Sequence, residues 1–156
     1  MRNPVYFRSE PGSPRPWSVS VRRRSRFGEV DAMAIVWHGH YAVLFEEAST
    51  ELRRECGLTY EAFFETGLRA PVVKLHVDYH LPLFLDQWFT TTASMIWTDA
   101  ARLDVVYEVR REDSRIAATG YTVQLFVQDR TGEPCFTVPE LLRQCRERWR
   151  VRERAR

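Results

Sequence analysis

No run of apolar residues in the 156-residue chain approaches the ~20 needed to span a bilayer. The segment from Met1 to Arg8 also lacks the apolar core of a secretory signal. Lysine is almost missing: of 23 basic residues, only Lys74 is not arginine. Seven glycines and eight prolines are too few for a collagen-like or low-complexity chain. The three cysteines, Cys56, Cys135 and Cys145, cannot all pair with one another and show no CxxC or Cys/His spacing. A disulfide framework and a zinc knuckle are therefore not expected, and a reducing cytoplasm is the default compartment. No glycine-rich loop resembles a P-loop or a dinucleotide fingerprint, and no serine sits in a nucleophile elbow.

What remains is one globular domain with 44% hydrophobic and 28% charged residues, enough to bury a core. The net charge of +2 conceals an acidic body between basic ends. Residues 1–26 hold seven arginines against one acid, and residues 143–156 hold seven against two. Such ends can bind phosphate or nucleic acid, or can be a solvated helix face. An anionic small molecule suits an acidic body better than a duplex does.

Four prolines within residues 1–17 mark a flexible N-terminal arm. The alternation around Val19 and Val21 predicts a first strand reaching about Phe27. Tyr41, Leu44, Phe45, Ala48, Leu52 and Cys56 recur at helical spacing, and Gly57 follows as a left-handed cap. A shorter helix is expected over Tyr60–Thr66. From Leu75 the period becomes two, and the segments 75–81, 88–97, 103–111 and 116–127 read as strands with short connections. Pro139 opens a final helix to about Trp149. Successive strands with short links predict an antiparallel sheet in an α+β fold around one long helix. One helix leaves a sheet face and an edge uncovered, so a homo-oligomer is expected.

The link between the first strand and the long helix carries the chemistry. Asp31 precedes an apolar stretch, Met33–Trp37, and then His38, Gly39, His40 and the helix start at Tyr41. An apolar loop packs against protein, which would hold Asp31 near the free amides and positive dipole end of the helix. A carboxylate beside unpaired donors is the minimum for acyl transfer. On spacing alone, Asp31 as a cap of a turn or of the helix start stays open.

Phe27, Asp31, Ile35, Val36, Trp37 and Tyr41 fall in register with the first-strand signature of a known family, and Ala48-Ser49, Cys56-Gly57-Leu58 and Pro71-Val72-Val73 fit further along. The chain resembles the 4-hydroxybenzoyl-coenzyme A thioesterase family of hotdog-fold proteins over roughly residues 18–140, leaving 1–17 as an arm and 141–156 as a basic C-terminal helix or tail. The resemblance implies a curved antiparallel sheet wrapped around the central helix, and a homodimer or homotetramer with active sites at the subunit boundary. It implies thioester hydrolysis of an acyl-CoA or an acyl-carrier protein, with CoA as part of the substrate and no other cofactor. Asp31 would be the catalytic carboxylate, as nucleophile or as base for a water. His38 would polarise the carbonyl through its main-chain N–H, joined by Gly39, and Met33, Trp37 and Tyr41 would contact substrate. Two positions depart from the pattern: Ala34 stands where the family has glycine, and His40 where it has Asn or Ser.

Each of these residues also has a plainer role. Tyr41, Trp37 and Met33 suit core packing, and Trp88 and Trp97 suit the sheet. Glu46 and Glu47 are backup bases or ordinary charges near a helix start. His76 and His80, four apart on a strand, would be ~13 Å from each other, too far to share an ion, so no metal is expected. A non-catalytic acyl-binding adapter and a nucleic-acid-binding role for the arginine-rich ends are the competing functions.

Overall fold

The stripe Tyr41, Leu44, Phe45, Ala48, Leu52 and Cys56 is buried on one side of helix α1, Tyr41–Cys56, as its spacing requires. Gly57 ends the helix at φ +80°, where its N–H returns to the Arg53 carbonyl. The structure, a computed structural model, describes residues 5–9 and 11–155. In chain order the other elements are β1 (Trp17–Arg24), α2 (Tyr60–Thr66), β2 (Leu68–Arg69), β3 (Val72–Tyr79), β4 (Trp88–Ile96), β5 (Arg102–Arg111), β6 (Ile116–Leu125), β7 (Val127–Gln128) and α3 (Glu140–Arg154).

Five strands form one antiparallel sheet in the order β1-β4-β5-β6-β3. The buried positions of β4 alternate, and Leu103, Val105, Tyr107 and Val109 of β5 follow the same period, so one sheet face lies on α1. Phe45 stacks on Tyr107 at 4.4 Å between ring centroids and 4° between planes. Such a fully buried aromatic contributes about 1.5–3 kcal/mol through transfer from water. Gly120, beside Tyr107 in the sheet, makes room for that stack: a Cβ there would run into the Phe45 ring and the His76 carbonyl. This is the helix-in-sheet arrangement of a hotdog.

Three details differ from the expectations. β1 ends at Arg24 because the chain turns into a 3-10 segment at Phe27–Glu29 instead of continuing as a strand. The N-terminal arm stops short of residue 17: Trp17 is 5% exposed and opens β1. Residues 1–4 and 10 lie outside the described residues, but Tyr6 and Phe7 rest on the outer sheet face. There the Tyr6 hydroxyl donates to Asp78 at 2.6 Å and lies 2.8 Å from the Thr119 hydroxyl. β2 and β7 pair as a two-residue ribbon too short to carry a periodic signal.

The basic C-terminal segment is mostly helix α3. It packs Leu141, Leu142, Cys145 and Trp149 against the core. Several of its arginines serve the fold. Arg146 donates to the Thr98 and Ala100 carbonyls, Arg148 to the Cys56 carbonyl, and Arg152 pairs with Glu55. Among the described residues, no helix is long and apolar enough to cross a membrane.

Candidate active site

The segment from Glu29 to Trp37 folds back on itself as a tight ribbon. The Trp37 amide donates to the Glu29 carbonyl at 2.9 Å, and the Asp31 amide donates to the Ile35 carbonyl at 2.9 Å. Val30 and Val36 bridge between them. The Ala34 amide donates to the Asp31 carbonyl at 3.0 Å, closing a four-residue turn with Asp31 at its first position. Ala34 takes φ +59° to make this turn, a left-handed conformation natural to glycine. The ribbon is pinned to the rest of the protein where Val36 and Leu85 exchange main-chain bonds with Leu83 and Ala34.

The ribbon delivers the chain to a 3-10 turn, His38–His40, that runs into α1. No side chain caps either start. Among the described residues, the His38 and Gly39 amides have no carbonyl acceptor, as expected at the beginning of a helical segment. Tyr79, at the end of β3, donates its hydroxyl to the His38 carbonyl at 2.7 Å and fixes the turn from the sheet side.

Asp31, Met33, His38 and Tyr41 line one cavity of about 390 Å³, together with Ile35, Val36, Tyr79, His80, Leu81 and Pro82. The wall is largely apolar, and both Asp31 and His38, the first residue of the turn into α1, line it. Asp31 Oδ1 accepts from the Met33 amide at 2.8 Å. Among the described residues, Oδ2 has no protein donor. Tyr41 is 3% exposed and meets Tyr79 edge-on at 5.1 Å. Burial and the neighbouring Tyr79 push its phenol up to about 12, against a backbone hydrogen bond from Leu83. Tyr41 is therefore a neutral wall of the cavity, not a base.

Two of the expected substrate contacts lie elsewhere. Trp37 and Gly39 do not line the cavity. The Trp37 indole covers Gly39, where a Cβ would collide with the ring, and stays 51% exposed. The backup bases on α1 are occupied by arginines. Glu47 accepts from Arg23 at 2.6 Å, and Glu46 pairs with Arg53. Glu46 and Arg53 belong to a second cavity, of about 430 Å³, with Tyr60, Phe63, Phe64 and Pro71. His76 pairs with Asp78 and His80 with Thr119; among the described residues, no three His, Cys, Asp or Glu side chains cluster to hold a metal.

Sequence reasoning missed Tyr79 and Glu29. Tyr79 continues the Leu75, Val77 alternation, and that period was the available signal for a phenol on the same side of the strand as those two residues. Glu29 is 8% exposed and beneath the ribbon, held by Arg23. Burial pushes its carboxyl up, but the hydrogen bonds from Arg23 and the Arg26 amide, with the nearby His40, outweigh this and leave it below the ordinary range.

A family model described as the thioesterase-like superfamily matches residues 25–145. A provisionally named esterase of Aquifex aeolicus is 33% identical over 96 residues, which is 62% of this chain and 75% of that one. A provisionally named acyl-CoA thioesterase of Bacillus subtilis, YneP, is 36% identical over 58 residues, 37% of this chain and 42% of that one. Among solved structures, the DHNA-CoA thioesterase of Staphylococcus aureus superposes with a TM-score of 0.76. It is 22% identical, over 89% of this chain and 95% of that one, a likeness of fold.

Proposed function

The chain belongs to the thioesterase-like superfamily, and on that premise we propose that it hydrolyses acyl-CoA thioesters with the Asp31 carboxylate. The observation that carries the assignment is the shared cavity: Asp31 and the uncapped start at His38 open onto the same space. The thioester carbonyl oxygen points at the His38 amide, which stabilises the negative charge that develops as the carbon becomes tetrahedral. Asp31 acts at that carbon by one of two balanced routes. As nucleophile, it forms a mixed anhydride and releases the CoA thiolate, and water then cleaves the anhydride to free acid and regenerated carboxylate. As general base, it takes a proton from a water that adds to the carbonyl, and collapse expels the thiol directly. In a single turnover in ¹⁸O-water, label found in Asp31 identifies an anhydride opened by water at the Asp31 carbonyl, because the general-base route puts the label only in the free acid. Both routes proceed with a carboxylate and amides, and neither calls for a metal or redox group.

The working unit in this reading is a dimer paired through β3. The two sheet edges differ in character: β1 ends in Arg22, Arg23 and Arg24, whereas β3 exposes Val72, Val73, Leu75 and Tyr79. Charged edges resist pairing, and long apolar edges invite it. β3 also has a cavity at each end, with Pro71 at its start in the second cavity and Tyr79 at its end in the Asp31 cavity. Along one strand these ends are about 26 Å apart. Antiparallel pairing of β3 with its copy sets the Pro71 end of one subunit beside the Tyr79 end of the other. The acyl group then passes from Asp31 into an apolar space lined by the neighbouring subunit. The three free cysteines, two of them buried, suit a reducing compartment such as the cytoplasm.

A panel of aliphatic and aromatic acyl-CoAs, with the same acyl groups on carrier protein, tests the assignment by thiol release. Release from at least one CoA thioester is the expected result. Tight binding across the panel with no release from any member would contradict hydrolysis and leave an acyl-binding adapter.

A further inference from the structure

We infer that Glu29 is a positioning residue for the cleavage, a buried carboxylate that holds the Asp31 ribbon in register with the first turns of α1. The inference rests on the thioesterase reading of the Asp31 cavity and adds a residue that does not line it.

Glu29 stands at the base of the ribbon, two residues before Asp31, and four donors converge on its carboxylate. Oε1 accepts from Arg23 Nη2 at 2.8 Å and lies 3.2 Å from His40 Nε2. Oε2 accepts from Arg23 Nη1 at 2.9 Å and from the Arg26 amide at 2.9 Å. The main chain of the same residue accepts the Trp37 amide, so Glu29 holds both strands of the ribbon at once. Arg23 then reaches across to the helix, donating from Nε to Glu47 Oε2 at 2.6 Å and from Nη2 to Glu47 Oε1 at 3.2 Å. One guanidinium therefore links the ribbon that carries Asp31 to α1, and the His40 ring links the same carboxylate to the turn that carries the His38 and Gly39 amides.

An apolar plug would seat a loop on a helix at lower desolvation cost than a buried acid. What the ion pair adds is direction. A bidentate Arg–carboxylate contact fixes distance and plane together. Attack on a thioester depends on how well the carboxylate and the oxyanion donors are placed, and a misplacement of about 1 Å can cost ~10²-fold in rate. Glu29 and His40 sit on the two segments whose separation sets that placement. The Glu29 carboxylate is outside the cavity wall, so its loss should alter placement and leave ground-state binding of substrate nearly intact.

The test is steady-state kinetics of the full-length Glu29→Gln variant on an acyl-CoA that the wild-type protein turns over, run well below the unfolding midpoint of both. The expected result is a kcat lowered by about 10- to 100-fold with KM nearly unchanged, and partial recovery of kcat in Glu29→Asp. If Glu29→Gln does not fold, Arg23→Lys, which keeps the charge and loses the bidentate contact, is held to the same kcat and KM criteria. Asp31→Asn runs alongside. An inactive Asp31→Asn with full kcat in Glu29→Gln overturns the positioning role and leaves the assignment of function standing. A kcat that falls only as far as the folded fraction falls overturns it equally, by reducing Glu29 to a stabilising contact. An Asp31→Asn variant that retains turnover overturns the assignment of function itself.

Discussion

The Trp37 amide donates to the Glu29 carbonyl at 2.9 Å, and this bond closes the ribbon that carries Asp31 to the entry of α1. A short, strained, heavily bonded loop thus stands where an ordinary strand-to-helix link would be. Its consequences can be measured one residue at a time.

Ala34 sits at φ +59° in the turn beneath Asp31. A Cβ in this region costs about 1–2 kcal/mol relative to a residue without one. Ala34→Gly should therefore raise stability, by about 1 kcal/mol once the added freedom of glycine in the unfolded chain is subtracted. Chemical denaturation of the two proteins checks this, and an unchanged or lowered midpoint would contradict the strain.

Gly120 marks the opposite case, a place where added bulk is harmful. Its missing Cβ lets Phe45 lie flat on Tyr107. Gly120→Ala should cost roughly 1–3 kcal/mol by overpacking, seen as a lower urea midpoint with little change in slope.

The β3 edge predicts a change of assembly. Leu75→Asp places a charge on an exposed apolar strand and should turn a dimer into a monomer in light scattering, with turnover falling as the dimer is lost. Dimers that persist, or monomers with full turnover, would contradict a site completed across β3.

Acid stability should report on Glu29. Its carboxyl is held below the unfolded value of about 4.3, chiefly by Arg23 and the Arg26 amide working against the effect of burial. In that window the unfolded chain binds more protons than the folded one, so stability rises with pH. The contribution is fully present above the unfolded value and is lost as pH falls through the folded one. Glu29→Gln should flatten the acid limb of the unfolding midpoint against pH, and an unaltered limb would show that Glu29 titrates as it does in the unfolded chain.

These residues also show what the sequence could and could not convey. The bounds of α1 and α2 were legible because an apolar stripe at helical spacing is a long, repeated signal, and Gly57 marks one end of it. Asp31 became a candidate only through its neighbours: a lone acid before an apolar stretch is chemically ambiguous, and the resemblance in Phe27, Ile35, Val36, Trp37 and Tyr41 is what singles it out. Glu29 was not legible. It lies in an aperiodic 3-10 segment, and its partner is hidden in a run of three arginines that composition alone would explain. One clue was available, since the strand period places Arg23 on the same inward side as Trp17, Val19 and Val21. An arginine pointing inward at a strand end requires carboxylate partners, and the buried Glu29 and the half-buried Glu47 are the ones that meet it. The ends of β1 and the β2–β7 ribbon were illegible for a different reason, being fixed by long-range pairing that leaves no local pattern.

The most direct measurement is thiol release by Asp31→Ala beside the wild-type protein, on the acyl-CoA that gives the fastest turnover. With no carboxylate in the cavity, the rate should fall by about 10²–10⁴-fold, while circular dichroism and molecular mass stay those of the wild type. Turnover at the wild-type rate from a folded Asp31→Ala protein would contradict the account at its centre.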